Sequence, residues 1–163
     1  MKVRPLEYRD LDSVLALLED MAHYNVIHGG KFFEPDVQAR RNGFMETLVK
    51  ILSIPEFYKE SLLLVGDYQN QPAAVLMAHA MNNYPYARHK KGIYIAALWF
   101  KKGVPPAAAA GIMRHGLTHL RQFTEEQQAT TFFGHTFHAD MRARKLMQKI
   151  GLRASFIRYE GEV

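Results

Sequence analysis

The chain has 163 residues, 48% hydrophobic and 23% charged, with a net charge of +5 and a pI of about 9.5. It contains no cysteine, which excludes a disulfide framework, a zinc–thiolate site and a cysteine nucleophile, and fits a cytoplasmic location. Its basic residues are dispersed, at most in pairs such as Arg40-Arg41, Lys90-Lys91 and Lys101-Lys102, which argues against a nucleic-acid reader, and no run approaches the roughly 20 apolar residues of a membrane span.

Residues 1–5 read as a short strand. Asp10 stands as an N-cap ahead of Leu11, Val14, Leu15, Leu17, Leu18, Met21 and Ala22, whose spacing predicts an amphipathic helix from Leu11 to about Tyr24. Gly29-Gly30 ends that segment. A second helix is predicted from Pro35, suited to a first turn, to Leu52, and Ser53-Ile54-Pro55 breaks it. Leu62–Val65 and Ala73–Met81 predict two strands, joined into an antiparallel hairpin by the polar turn 67–72. A polar, aromatic loop follows.

Gly92–Phe100 is rich in β-branched and aromatic residues and predicts a further strand. The loop Lys101–Pro106 and the small residues Ala107–Gly111 lead into a helix from Ile112 to Phe123. Thr130–Phe137 predicts a strand, Ala139–Ile150 a helix closed by Gly151, and Arg153–Tyr159 a terminal strand. With no repeat or linker, residues 1–163 read as a single domain. The element order predicts an α+β (mixed α/β) fold: a mixed sheet of six to seven strands with about four helices on both faces.

The layout from Gly92 to Leu152 is strand, small-residue turn, helix, strand, helix. It can hold an anionic cofactor at a helix N-terminus, where free N–H groups and the helix dipole favour phosphate. Ala107, Ala108, Ala109, Ala110 and Gly111 would allow the close approach this needs, or they simply let the helix pack tightly on the sheet. His79, His135 and His138 lie on or beside predicted strands, where an imidazole can deprotonate an ammonium near neutral pH. Hydrogen-bonded structural histidines would look the same, and spacing selects none of them. His115 and His119 have a metal-compatible i, i+4 spacing but no third ligand, so they read as a surface pair and no metal site is assigned.

Over nearly its whole length the chain resembles the GNAT superfamily of acyl-CoA-dependent N-acetyltransferases. Val3–Asp12 looks like that family's first strand and first-helix entry, and Leu62–Met81 like its second and third strands. The most specific likeness is Asp140–Leu152, similar to the pattern N-x-x-A-x-x-L-Y-x-K-x-G-F. Ala143, Leu146, Lys149 and Gly151 match it, with Asp140 and Leu152 as near substitutions. Compact branches common in phage and prophage genomes look most alike in layout.

The resemblance implies a GNAT-like sheet, acetyl-CoA as co-substrate, and attack of a primary amine on the thioester within a ternary complex. It also implies that the backbone of Leu98, Trp99, Phe100 and Lys101 pairs with pantetheine and that Ala107–Gly111 hold the pyrophosphate. Asp140 carries over as a cofactor contact. Arg142, Arg144 and Lys145 either lie beside the phosphates or solubilise a helix face. Segments His28–Phe33 and Asn82–Arg88 would border the acceptor.

Two departures from the family pattern matter. The usual pyrophosphate loop, Q/R-x-x-G-x-G/A, has Pro106 at its basic position and Ala109 at its first glycine. Pro105 and Pro106 have no N–H, so donors are expected from Ala107 to Gly111, with Lys101 or Lys102 supplying the lost charge. Met147 stands where the family often has a tyrosine general acid, and Gly92–Phe100 contains no Asp or Glu base. Transfer could then rest on juxtaposition alone, or the protein is a catalytically impaired ligand-binding or interaction module. Protein N-terminus, lysine, polyamine, aminoglycoside and small metabolite all stay open as acceptors, and an edge strand near the C-terminus could pair across a homodimer.

Overall fold

A computed structural model of the chain describes residues 1–27, 36–82, 91–130, 132–134, 145 and 148. Its elements are β1 (Lys2–Pro5), α1 (Leu11–Ile27), α2 (Val37–Ser53), α3 (Pro55–Lys59), β2 (Ser61–Tyr68), β3 (Gln71–Asn82), β4 (Lys91–Phe100), α4 (Pro106–Glu126) and β5 (Phe132–Gly134). The strands form one sheet in the order β1-β2-β3-β4-β5. Neighbours run antiparallel up to β4, and β4 and β5 are parallel.

The fold is therefore mixed α+β, as the element order predicts. Five strands are present among the described residues, against the six to seven expected. The predicted strand Arg153–Tyr159 lies outside the described residues, as does the helix Ala139–Ile150 apart from the helical Lys145 and Gln148.

Side-chain alternation along the strands makes the sheet two-faced. Val75 and Met77 of β3 join Leu63 and Val65 of β2 in a core with Leu15 and Leu18 of α1 and Leu48 of α2. Leu76 and Ala78 face the other way, into a core with Ile93, Ile95 and Leu120 and Phe123 of α4. Each large side chain removed from water in these layers contributes about 1.5–3 kcal/mol before entropy is counted. The stripe of α4 that meets the sheet runs through Ala108, Ile112, Gly116 and Leu120, all buried at a spacing of one turn. The absence of a side chain on Gly66 lets Ile112 settle directly on β2.

Local chemistry moves several expected boundaries. Helix α2 starts at Val37, where Asp36 accepts the N–H of Ala39 at 2.8 Å as N-cap. Pro55 ends one helix and starts another: Ile54, forced out of the α region as the residue before a proline, is extended (φ −109°, ψ 113°), and Pro55 opens α3. Ala107–Gly111, expected ahead of a helix, lie within α4.

Asp10, expected to cap α1, instead turns back. Its carboxylate accepts both Arg4 terminal nitrogens at 2.6 and 2.8 Å and the Glu7 N–H at 2.9 Å. Arg4 also donates from Nε to Asp67 at 2.8 Å, tying β1, the start of α1 and β2 together. No helix among the described residues is long and apolar enough to cross a membrane.

Candidate functional site

Strand β4 carries an irregularity at its centre. Ala97 pairs with Met77 and Ile95 with Ala78, so Ala96 is an extra residue bulging out of the ladder. The described residues of β5 pair with β4 only ahead of it, ending at Ile95 with Gly134. A bulge re-aims everything beyond it: Ile93 and Ile95 face α4 before the bulge, and Leu98 and Phe100 do so after it.

Beyond the bulge, hydrogen-bond parity decides which backbone groups can receive a ligand. The N–H of Lys101 donates to the Ala73 carbonyl at 2.8 Å. Antiparallel pairing alternates, so Trp99 and Lys101 direct their backbone groups to β3, while Leu98 and Phe100 direct theirs away from it, toward the β5 side. Of the four residues expected to pair with pantetheine, the register leaves Leu98 and Phe100 and turns Trp99 and Lys101 the other way.

The chain then makes a tight loop, with Gly103 at φ +89° and the Val104 N–H reaching the Lys101 carbonyl at 3.4 Å, and enters α4 at once. Pro105 is the N-cap and Pro106 the first helical residue, and the Ala109 N–H already bonds the Pro105 carbonyl at 2.9 Å. Ala110 and Gly111 follow in the helical ladder. The donors expected from Ala107 to Gly111 thus narrow to Ala107, which is exposed, and Ala108, which is buried. Gly111 lies a turn further on, where a Cβ would meet the Met1 side chain at 3.0 Å, so its small size serves packing of α4 against the N-terminus.

Lys101 and Lys102 are exposed and form no ion pair among the described residues. They border a concavity of about 250 Å³ between the loop and the β2–β3 turn, with Tyr68, Gln69 and Gln71 opposite.

His79 of β3 is half-buried and faces the α1–α2 side of the sheet. Its Nδ1 lies 2.9 Å from the Ser61 hydroxyl across the ladder, either atom being able to donate. Burial holds its pKa below the usual histidine value. Its other cross-strand partner is Tyr94, whose ring packs against Phe133 of β5 at 5.6 Å between centroids. His79, Tyr94 and Phe133 thus form a row crossing β3, β4 and β5 ahead of the bulge.

His135, His138, Asp140 and Arg144, with Arg142 and Met147, lie outside the described residues. The same is true of the acceptor segments apart from Asn82. Lys145 is helical and exposed. On α4, His115 is exposed and His119 half-buried, and no group of three or more metal-ligating side chains occurs among the described residues.

The sequence reading missed one constellation. The Trp99 indole N–H donates to Asp20 of α1 at 2.8 Å, and the Trp99 ring lies 5.2 Å from that of Tyr24, tilted by 52°. The i, i+4 spacing of Asp20 and Tyr24 sets both on one face of α1, but only the fold brings Trp99 to them.

No protein-family model matches the chain, and no curated protein is similar to it. Solved structures are. A mutant of the BH1408 protein of Bacillus halodurans superposes with a TM-score of 0.78 at 17% identity, covering 100% of this chain and 99% of that one. The aminoglycoside 6'-N-acetyltransferase AAC(6')-Ig of Acinetobacter haemolyticus gives 0.69 at 12% identity over 100% and 99%. AAC(6')-Iy, in complex with a bisubstrate analogue of CoA and acetylneamine, gives 0.72 at 10% over 99% and 98%. In fold the chain is similar to these acetyltransferases, with nearly the whole of both chains aligned in each case.

Proposed function

We propose that the chain is an N-acetyltransferase that transfers the acetyl group of acetyl-CoA to a primary amine by direct attack within a ternary complex. The observation that carries this reading is the conjunction over the second half of β4 and the start of α4. There the Ala96 bulge, the backbone groups of Leu98 and Phe100 turned away from β3, and the α4 N-terminus follow one another within a few residues. An extended amide arm suits the first two features, and phosphate suits Ala107, Ala108, Lys101 and Lys102. The shared fold with acetyltransferases supports the same assignment.

When bound, acetyl-CoA supplies an activated acyl thioester. The chain's own part is to hold the arm, seat the amine beside it and take up the amine's proton. Juxtaposition alone can contribute about 7–11 kcal/mol in well-oriented cases. His79 is our candidate proton acceptor: the tautomer that carries its proton on Nδ1 would donate to Ser61 and leave Nε2 to accept. Its lowered pKa keeps the ring neutral, as an acceptor must be. His135 and His138 are proposed for the same role, and Asp140 and Arg144 as further cofactor contacts.

The test is calorimetric titration of acetyl-CoA and CoA into the wild type and Ala107→Glu. Ala107 is exposed in the first turn of α4, where a carboxylate favours the helix dipole, so folding is preserved while negative charge enters the phosphate site. Binding weakened about ten-fold or more at unchanged melting temperature is expected. Absence of binding to the wild type would sink the reading. A second reading, a CoA-binding module without transfer, is favoured by the reduced donor set at α4. Tight CoA binding with no acetylation of any amine offered would select it.

A further inference from the structure

We propose that the concavity between the loop 101–104 and the β2–β3 turn binds a small phosphorylated metabolite, off the path of the pantetheine arm and in antagonism to acetyl-CoA. The anion site stands on its own geometry, and only the antagonism rests on the acetyltransferase reading.

The concavity lies on the β3 flank of β4, just past the last rung of that ladder, Ala74 with Phe100. The Lys101 N–H bonds the Ala73 carbonyl at 2.8 Å, and both residues line it. The backbone groups of Leu98 and Phe100, those assigned to the arm, face the opposite flank. At about 250 Å³ the hollow has room for an anion with a small organic body.

Its charge is one-sided. Lys101 and Lys102 border one wall, and Tyr68, Gln69 and Gln71 the other. Neither 68–73 nor 101–104 contains an Asp or Glu. Asp67, just before the turn, is held by Arg4 at 2.8 Å. Among the described residues, no hydrogen bond or ion pair engages the side chains of the two lysines, Tyr68, Gln69 or Gln71. Two ammonium groups bordering one hollow repel each other, and an anion between them relieves that repulsion.

Both walls are tight turns, so the hollow exists before a ligand arrives. The hairpin turn holds Gln69 and Asn70 at φ +52° and +61°. The turn across from it, closed by the Val104 N–H on the Lys101 carbonyl, holds Gly103 at φ +89°. Walls fixed in this way lower the ordering cost of binding. The donors select the anion. Two ammonium groups, a phenol and two carboxamides offer more N–H and O–H groups than the two oxygens of a carboxylate can use. A phosphate ester presents three strong acceptor oxygens and up to two charges.

The antagonism follows from shared charge. Lys101 and Lys102 are also the cations proposed to attract the cofactor's phosphates, and a dianion in the concavity offsets them. The two ligands bind at once on opposite flanks of β4, so each weakens the other by the same limited factor.

Isotope-labelled full-length protein is titrated with inorganic phosphate at constant ionic strength, and NMR follows the Gly103 backbone amide and the Gln71 side-chain amide. Saturating shifts with a Kd of about 1 mM are expected in the wild type, about ten-fold weaker in Gln71→Glu and absent with acetate. Gln71 is exposed, so the glutamate adds charge to the wall without disturbing the core. No saturation in the wild type, an equal response in the variant or with acetate, or shifts confined to Ala107 and Ala108 overturns the site. CoA is then titrated calorimetrically at rising phosphate. Its apparent Kd should rise about five-fold and level off. An affinity that phosphate leaves unchanged, or weakens without limit, overturns the antagonism. Loss of the phosphate shifts under saturating CoA but not under dephospho-CoA, which lacks the ribose phosphate, assigns the concavity to the cofactor and overturns a separate ligand. Phosphate binding as expected with no binding of CoA upholds the anion site and sinks the acetyltransferase reading.

Discussion

The side chain of Ile112 in α4 occupies the space that a Cβ on Gly66 of β2 would take. Ile112 is buried and β-branched, with little rotamer freedom to escape, and Ala74 closes the site from the neighbouring strand at 3.2 Å. Gly66→Ala must therefore lift α4 or strain Ile112. A loss of about 1–3 kcal/mol is expected from urea unfolding midpoints. Because α4 carries Ala107 and Ala108 at its start, the same substitution should weaken acetyl-CoA binding in calorimetry.

Gly116, one turn along the same stripe, predicts the opposite sign. A Cβ there meets Leu76 Cδ1 at 3.6 Å, an ordinary contact, and glycine within a helix is conformationally costly. Gly116→Ala should stabilise by about 1 kcal/mol, raising Tm by about 2–4 °C. A lowered Tm would mean that α4 lies closer to β3 than these distances allow.

The Arg4–Asp10–Asp67 cluster predicts acid sensitivity. The Arg4 guanidinium, foremost, and then the Glu7 N–H hold the Asp10 carboxyl below the usual carboxylate range, against the opposing effect of burial. A depressed folded-state pKa contributes stability that is fully present above the unfolded value of about 4 and lost as pH falls through the folded value. Stability measured by urea melts at successive pH values should drop below about pH 4, more steeply in the wild type than in Asp10→Asn. Near neutral pH, Asp10→Ala leaves the mostly buried Arg4 with Asp67 alone and should cost about 3 kcal/mol.

Helix faces were legible because they depend on local periodicity. Val14, Leu15, Leu17, Leu18 and Ala22, named from spacing, are all buried in α1. The start of α4 was misplaced because smallness was weighed above propensity: alanine is the best helix former and Pro106 is preorganised for a first turn, so the helix simply begins there. The Ala96 bulge left no trace in a run of small and β-branched residues. Which backbone groups of Leu98 to Lys101 face a ligand depends on cross-strand register, set by Ala73 and Val75 well away in sequence. Only the folded chain brings Asp20 to Trp99 or Ser61 to His79, so neither pair could be selected from spacing.

His79 offers a prediction that separates a proton acceptor from a structural histidine. Burial lowers its pKa, so below about pH 6.5 the unfolded chain takes up a proton that the native ring resists. Stability should decline as pH falls from that value to the folded-state pKa and then level off, and His79→Gln should remove this slope. Both roles share that behaviour. Only an acceptor makes the acetylation rate follow the same titration, with activity persisting below about pH 6.5 and falling at the pKa that NMR of the His79 ring reports. His79→Gln should then lower kcat by about a hundred-fold with acetyl-CoA affinity unchanged. Ser61→Ala, which frees Nδ1 to exchange tautomers, should give a smaller loss and a shifted pH profile. An unchanged kcat in His79→Gln would remove the histidine from the chemistry and leave transfer to juxtaposition of amine and thioester.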